Sequence, residues 1–343
     1  MTVRPISGSF TTAVDLMAAV VSAYPERDAF VEGNRRLTFG GWDRAADGVA
    51  AAMASLGVGK GDVVCLLLPS SVDYAVCYQA AMRLGAVTSG INTRLGPAEV
   101  TSILARTEPR LVVGDAPVAV PLSGVAVLRR EELAVAATAG PLPSRGRPSL
   151  HAHDPVAIVW TSGTTGQPKG AVFDHANLAA VAHGSGVLSR PGDRRLSPLP
   201  FAHVGYMARM WDELVHVIST VIVPSPWRAE HALRLIENER VTVGQGVPTQ
   251  WALMLAHPDF DATDVSSLRL AATGAASVPP TLVREMRRKL GCPVIVRYAS
   301  TEAGGVSTGS RPDDPDRVIV NTVGRASDGV ELRLVDDDLR RVI

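Results

Sequence analysis

A loop rich in glycine and hydroxyl side chains is the most informative segment of this sequence. It lies within residues 157–173, between two apolar runs that are typical of strands. Glycines allow tight turns and close approach of the backbone to a ligand, hydroxyl groups donate hydrogen bonds, and a lysine supplies positive charge. These properties suit a triphosphate. The residues that we expect to bind it are Thr161, Ser162, Gly163, Thr164, Thr165, Gly166, Lys169 and Gly170.

This loop differs from the ordinary P-loop of GTPases. The motif GxxxxGK[ST] requires glycine directly before the lysine and serine or threonine directly after it, whereas Lys169 lies between Pro168 and Gly170. A merely flexible polar loop would explain a few such residues, but ten in this order argue against that interpretation. The segment TSGTTGQPKG resembles the signature of the adenylate-forming superfamily, which includes acyl-CoA synthetases, peptide-synthetase adenylation domains and luciferases. The resemblance implies that a carboxylate is coupled to AMP, that pyrophosphate is released, and that the acyl group then passes to a thiol such as CoA.

A second segment runs from Arg297 to Glu302, about 130 residues after the loop, which is the separation that the resemblance requires. It resembles the family's Tyr-Gly-x-Thr-Glu pattern. The resemblance implies that Tyr298 packs on adenine, that Thr301 meets the α-phosphate, and that Glu302 binds Mg²⁺, with Thr165 as a further metal ligand. These residue types suit base stacking, phosphate contact and Mg²⁺. Ala299 stands where glycine is common in the family.

A third segment, residues 199–205, forms the mouth of a pocket for the acid if the resemblance holds here too. It resembles the family's Pro-x-x-His-x-x-Gly pattern, although its glycine comes one position early. A lone histidine beside apolar residues is usually structural, so the role of His203 depends on the resemblance. Amino-acid-activating relatives place an aspartate here, and none occurs from Pro200 to Tyr206, which favours a fatty or aryl acid over an amino acid. The expected acid-binding residues are His203, Val204, Tyr206, Val247, Pro248 and Gly274, and those of the adenine-side turn are Gly274, Ala275 and Ala276. The expected catalytic residues are Lys169, Thr301, Glu302 and His203.

Composition excludes several other classes of protein. Lys and Arg together number 34, as do Asp and Glu, so the net charge is zero and no global field attracts nucleic acid or an anionic membrane. The three cysteines have no CxxC spacing, which predicts neither a disulfide framework nor a zinc site and suits a reducing cytoplasm. No apolar run approaches the ~20 residues that span a bilayer, and we find no signal peptide. We expect a soluble cytoplasmic protein without a nucleic-acid partner, and a homodimer is one possible assembly.

The elements that position these segments alternate between helix and strand. From Thr38 to Gly114 the order is α-β-α-β-α-β, and a second α/β stretch runs from Pro155 to about Ala299. This alternation predicts an α/β fold with two helix-covered, largely parallel sheets, in the layer order αβαβα. After Pro315, alternating apolar residues predict half-exposed antiparallel strands near 318–320 and 330–334, as the start of a small antiparallel β-barrel.

The resemblance covers the chain as an N-terminal large domain, with subdomains of roughly 1–150, 151–310 and 311–343. Full members of the family continue with the rest of the barrel, a ribose-binding aspartate, a hinge, an arginine and a late lysine. We therefore expect the small C-terminal domain to be absent and these residues alone to form little acyl-CoA.

The sequence suggests three alternatives to a CoA ligase. A ligase that loads a carrier protein and a non-catalytic nucleotide-binding member of the family both stay open. The third is a hydrolase, because residues 305–309 match the nucleophile motif G-x-S-x-G around Ser307. That motif needs a strand before it and a helix after it, which the flanking residues do not predict.

Overall fold

The structure, a computed structural model, describes residues 2–115, 124–161 and 168–340. Within these ranges it has the predicted α/β fold, with a nine-stranded and a six-stranded sheet. The strands are β1 Asp28–Glu32, β2 Arg35–Thr38, β3 Val63–Leu67, β4 Val87–Gly90, β5 Leu111–Gly114, β6 Ala126–Arg129, β7 Pro155–Thr161, β8 Lys169–Asp174, β9 Arg194–Ser197, β10 Ser219–Ile222, β11 Val243–Gly246, β12 Leu270–Gly274, β13 Val294–Ser300, β14 Gly305–Gly309 and β15 Arg325–Ala326. The α-helices are α1 Ala13–Ala23, α2 Phe39–Ser55, α3 Val72–Arg83, α4 Pro97–Thr107, α5 Leu133–Ala136, α6 His175–His183, α7 Val204–Met207, α8 Met210–Val215, α9 Ala229–Asn238, α10 Pro248–Leu255, α11 Pro280–Leu290 and α12 Asp316–Asn321.

Both sheets are parallel at their centres and antiparallel only towards their edges, which confirms the prediction of two largely parallel sheets. The six-stranded sheet has the order β6-β5-β3-β4-β7-β8, in which only the pair β7 and β8 is antiparallel. The nine-stranded sheet has the order β15-β14-β13-β12-β11-β9-β10-β1-β2. In it β1 pairs with β10, while β7 and β8 belong to the other sheet, so both sheets contain strands from either side of residue 150. The division of the chain into subdomains stays a prediction.

Helix ends follow the sequence signals. Helix α2 ends just before Gly57, whose φ of +86° suits a residue without Cβ. Helix α3 begins after Ser71, whose hydroxyl oxygen accepts a hydrogen bond of 3.2 Å from the Tyr74 N–H. Helix α4 begins at Pro97, at the position where a missing N–H costs nothing.

The nine-stranded sheet separates two apolar clusters, and strand β13 shows the two faces. Val294 and Val296 pack in the cluster that contains side chains of α11 and α12. Ile295 packs on the opposite face, with Val243 and Leu270 of neighbouring strands. Because side chains alternate along a strand, the residues after Val296 also face alternate sides of the sheet.

The segment after Pro315 is a correction to the sequence prediction. Residues 318–320 lie in α12 and not in a strand, and Ile319 is buried against the cluster formed with α11. Pro315 caps this helix, and Asp316 pairs with Arg287 of α11 at 3.1 Å. Residues 330–334 form no strand and their apolar side chains are largely exposed. The one antiparallel strand in this part of the described chain is the two-residue β15.

Candidate active site

The carboxyl ends of neighbouring parallel strands meet at one edge of the nine-stranded sheet. Strands β9, β11, β12 and β13 lie side by side, and the chain leaves their carboxyl ends as loops. This edge is where open α/β sheets bind ligands. A cavity of ≈120 Å³ opens there, with His203, Val247, Gly274 and Arg297 on its wall.

His203 precedes the short helix α7 and caps it. Its Nδ1 accepts a hydrogen bond of 3.4 Å from the Gly205 N–H. Desolvation by the surrounding protein lowers the pKa of His203 below its usual value, so the ring is neutral near pH 7. A neutral ring that accepts at Nδ1 carries its proton on Nε2, which is then a hydrogen-bond donor.

At the carboxyl end of β12, the backbone lies unusually close to the neighbouring strand β13. A Cβ added to Gly274 would lie 2.1 Å from the carbonyl oxygen of Arg297 on β13, so a larger residue does not fit. The next residue, Ala275, has a φ of +62°, in the left-handed region that alanine rarely adopts. Such strain tends to be kept where the backbone serves a ligand. Ala275 lies on the wall of the ≈120 Å³ cavity and of a second cavity of ≈880 Å³.

Tyr298 lies on this second cavity together with Ala276, and its side chain is 51% exposed. A tyrosine ring exposed in a cavity offers an aromatic face for stacking. The structure therefore brings together Ala275, Ala276 and Tyr298, which the sequence predicted for the adenine side.

Thr301 and Glu302 lie in the turn after β13. The Thr301 carbonyl oxygen accepts a hydrogen bond of 3.0 Å from the Gly304 N–H, which closes the turn. Glu302 is exposed and lines a third cavity of ≈530 Å³, where it has no ion-pair partner in the described part of the chain. The same ranges contain no cluster of three His, Cys, Asp or Glu side chains that would hold a metal by themselves. A Mg²⁺ ion at Glu302 would therefore need phosphate oxygens or water as its other ligands.

Most of the phosphate loop falls outside the described residues, and the roles of Ser162, Gly163, Thr164, Thr165 and Gly166 stay predictions. The two ends of the loop are described. Thr161 and Lys169 are paired across β7 and β8, and the Thr161 hydroxyl donates to the Lys169 carbonyl oxygen at 3.4 Å. Lys169 is exposed. The hairpin thus holds the two ends of the loop next to each other.

The remaining residues predicted for the acid pocket lie at different depths. Val204 and Val247 line the ≈120 Å³ cavity, whereas Pro248 is buried in the first turn of α10. Tyr206 reaches the same cavity, but its ring stacks on Phe201 with centroids 3.6 Å apart, inside an aromatic cluster. Its main contacts are therefore structural.

Sequence reasoning missed a group of charged residues beneath the cavity. It consists of Arg195 on β9, Arg209, Asp212 and Glu213 at α8, and Arg297 on β13. Asp212 is fully buried and accepts hydrogen bonds from Arg209 and, at 3.1 Å, from Arg195. Burial raises the pKa of Glu213 to about 7. We call this group the arginine cluster.

Within residues 2–115, 124–161 and 168–340, no helix is both long and apolar enough to cross a bilayer.

The chain matches the family described as AMP-binding enzyme over residues 17–343. It is 31% identical over 333 residues to long-chain-fatty-acid–CoA ligase FadD13 of Mycobacterium tuberculosis, covering 92% of this chain and 65% of the relative. It is 32% identical over 340 residues to indoleacetate–CoA ligase of Aromatoleum aromaticum, covering 92% and 63%. An inhibitor-bound crystal structure of the N-terminal domain of FACL13 from M. tuberculosis superposes with a TM-score of 0.88 and 29% identity, covering 97% of this chain and 86% of that one. The chain thus spans a little under two thirds of the length of these two curated relatives.

Proposed function

Because the chain belongs to the AMP-binding enzyme family, we propose that the protein activates a carboxylic acid with ATP to give an acyl adenylate and pyrophosphate. The observation that carries this proposal is the junction of two cavities at Ala275. One cavity has His203 on its wall, and the other has the exposed ring of Tyr298. An acid in the first cavity and adenosine in the second would meet beside Ala275, which lines both cavities.

In the proposed reaction an oxygen of the acid's carboxylate attacks the α-phosphorus of ATP. The bond from that phosphorus to the bridging oxygen breaks, and pyrophosphate leaves with the bond's electrons. His203, as a neutral donor at Nε2, orients the carboxylate, and Thr301 donates to the α-phosphate. Lys169 supplies positive charge where charge develops on the departing phosphates. No step requires a proton to leave the acid, because the carboxylate is already ionised near pH 7.

Glu302 is the residue proposed to hold Mg²⁺, with Thr165 as the second ligand. Glu302 suits this role because its carboxylate is exposed on a cavity wall and makes no ion pair with any described residue. Bound Mg²⁺ would offset negative charge on the phosphates.

In the whole protein, the acyl group is proposed to pass from the adenylate to CoA. The names of both relatives, a fatty-acid–CoA ligase and an indoleacetate–CoA ligase, support CoA over a carrier protein and support a fatty or aryl acid over an amino acid. A cytoplasmic location and a homodimer stay predictions from the sequence.

The test is acid-dependent release of pyrophosphate from ATP and Mg²⁺ by the whole protein, measured over a panel of carboxylic acids, with acyl-CoA detected by mass after CoA is added. Nucleotide binding is measured separately by calorimetry. We expect Tyr298→Ala to weaken AMP binding by ~10- to 100-fold, as loss of base stacking does, while Tyr298→Phe binds like the parent protein. If no acid releases pyrophosphate and Tyr298→Ala leaves AMP binding unchanged, the proposed function is wrong.

A further inference from the structure

The ≈880 Å³ cavity has a wall formed by residues that lie outside the motifs of the sequence. This wall is the segment 321–324, which contains the last residue of α12 and the three residues that follow it. The exposed ring of Tyr298 lies on the same cavity. A base that stacks on this ring leaves its edge exposed to the rest of the cavity wall. Residues 321–324 are therefore candidates to bind that edge.

The segment 321–324 is held against strand β14. The Thr308 hydroxyl donates a hydrogen bond of 2.7 Å to the Val323 carbonyl oxygen. Thr308 is also the residue of β14 that pairs with Tyr298 across the β13–β14 hairpin. At Gly324 the chain lies so close to β14 that an added Cβ would be 2.0 Å from the backbone of that strand. The wall is thus fixed beside the strand pair that carries the tyrosine.

The order of residues along this hairpin sets which edge of a base meets the wall. The turn with residues 301–302, which is the proposed phosphate side, lies at one end of the hairpin, and the pair of Tyr298 and Thr308 lies further from that turn. A nucleotide with its phosphates at the turn directs its ribose towards the turn. The opposite edge of its base then points away from the turn, towards residues 321–324. In adenine that edge carries the exocyclic amine, which is a hydrogen-bond donor.

Asn321 presents an acceptor oxygen at this wall. Its Nδ2 donates a hydrogen bond of 2.9 Å to the Arg317 carbonyl oxygen. A carbonyl oxygen can only accept, so the nitrogen of the amide must face Arg317 and its Oδ1 must point the other way. No residue in the described part of the chain donates a hydrogen bond to this Oδ1. Burial of Ile319 against α11 holds α12, and with it Asn321, in place.

The other polar side chains on this cavity do not select for an amine. The Thr322 hydroxyl donates to a backbone carbonyl oxygen at 2.7 Å and accepts from a backbone N–H at 3.0 Å, so the backbone already engages it. The hydroxyls of Ser277 and Tyr298 both donate and accept, and they suit an amine or a carbonyl equally. Arg297 only donates and would favour a carbonyl. Of the described polar side chains on this cavity, Asn321 is the one that favours an amine.

We propose that Asn321 makes the site selective for adenine, because its Oδ1 accepts a hydrogen bond from the exocyclic amine of the base. This inference rests on the proposed function, which places adenosine on Tyr298. Guanine and hypoxanthine carry a carbonyl oxygen where adenine carries the amine. That oxygen would face Oδ1 as one acceptor against another, with no hydrogen atom between them. ATP is then preferred over GTP and ITP through a residue outside the segments that carry the family resemblance.

The experiment measures the affinity of the whole protein for three nucleotides by calorimetry. They are AMP, IMP and purine ribonucleoside monophosphate, which has a hydrogen atom in place of the amine. We expect AMP to bind ~2- to 10-fold more tightly than the purine nucleotide, as one hydrogen bond between neutral groups predicts. IMP should bind ~5- to 100-fold more weakly than AMP, since it leaves two polar groups unsatisfied.

Variants then assign the preference to Asn321. In Asn321→Ala the ratio of the affinities for AMP and the purine nucleotide should fall to about one, which is the loss of that single hydrogen bond. If the substitution only loosened α12, both nucleotides would weaken alike and the ratio would stay at its parent value. Tyr298→Ala should also keep the ratio, because stacking does not need the amine. The matched control is Asn238→Ala, at the exposed last residue of α9, which lies on none of the three cavities.

The outcomes separate this inference from the proposed function. Equal affinity of the parent protein for AMP and the purine nucleotide would overturn the inference, and so would an unchanged ratio in Asn321→Ala. Tighter binding of IMP than of AMP would assign the edge of the base to a donor such as Arg297 and would also overturn it. Acid-dependent release of pyrophosphate would leave the proposed function in place in each of these cases. If no nucleotide binds, the inference fails, and if no acid releases pyrophosphate either, the proposed function fails with it.

Discussion

Substituting Gly274 by alanine should separate the carboxyl ends of β12 and β13. The new Cβ would lie 2.1 Å from the Arg297 carbonyl oxygen, and the strands must open by about 1.4 Å before this contact reaches the ordinary ~3.5 Å. The neighbouring atom is backbone, paired in register with Gly274, so no flexible side chain can move aside.

Such overpacking typically costs ~1–3 kcal/mol in the free energy of unfolding. An unfolding entropy of about 2.1 cal/mol/K per residue over this chain converts that cost to a Tm lower by about 1–4 °C. The activity should fall further, by about 100-fold, because a displacement of at least about 1 Å moves Ala275 relative to the reacting groups.

The assay is thermal unfolding followed by acid-dependent pyrophosphate release, with Gly309→Ala as the matched control. Gly309 lies on β14 opposite Arg297, and its added Cβ would be 3.7 Å from Arg297 Cγ, an ordinary contact. We expect that variant to keep the parent Tm and activity. Equal Tm and equal activity in the two variants would refute the close-approach argument.

Three further substitutions test individual groups. Glu302→Gln should slow pyrophosphate release while acid binding, measured by calorimetry, stays unchanged, because it removes a charge for the metal and leaves the acid cavity intact; unchanged release would remove Glu302 from the site. His203→Ala should change the acid preference with little change in KM for ATP, and the opposite result would place His203 at the nucleotide. Folding raises the pKa of Glu213 from 4.5 to about 7, so the folded protein holds a proton there that the unfolded chain has released, and stability falls as pH rises through this window. Glu213→Gln should flatten that fall in Tm between pH 5 and 8, and an unchanged slope would exclude Glu213 as its source.

Much of the fold could be predicted because local signals and tertiary packing agree. Helix α11 begins at Pro280 and ends at Leu290, where the sequence itself carries the signals, since proline suits a first turn and Gly291 follows with a φ of +65°. The prediction of a strand at residues 318–320 was wrong, because two valines two positions apart do not distinguish a strand from one turn of helix. Packing of Ile319 against α11 decided in favour of helix, and that contact is not visible in the local pattern.

The candidate site also contains residues that local sequence signals predict and residues whose contacts only the fold reveals. The segments around His203, Gly274 and Tyr298 carry their own signal, in residue types that suit their ligands and in spacing that matches a family. The structure places these three on adjoining cavities at one sheet edge. Tyr206 shows the limit of such reasoning, because sequence position beside His203 does not reveal that its ring stacks on Phe201.

Arg297 shows why part of a site escapes sequence reasoning even when the residue lies inside a recognised segment. Its signal is present, since an arginine follows three apolar residues in a strand whose alternate positions are buried on both faces. A charge in such a strand is usually satisfied by a carboxylate on a neighbouring element, and the sequence contains 34 acidic residues that could supply one. Only the folded chain shows that Asp212 and Glu213, the acids that reach this face, pair with Arg195 and Arg209 instead. Among the described residues, no carboxylate forms an ion pair with Arg297 itself, so its surroundings follow from the fold and not from the local sequence pattern.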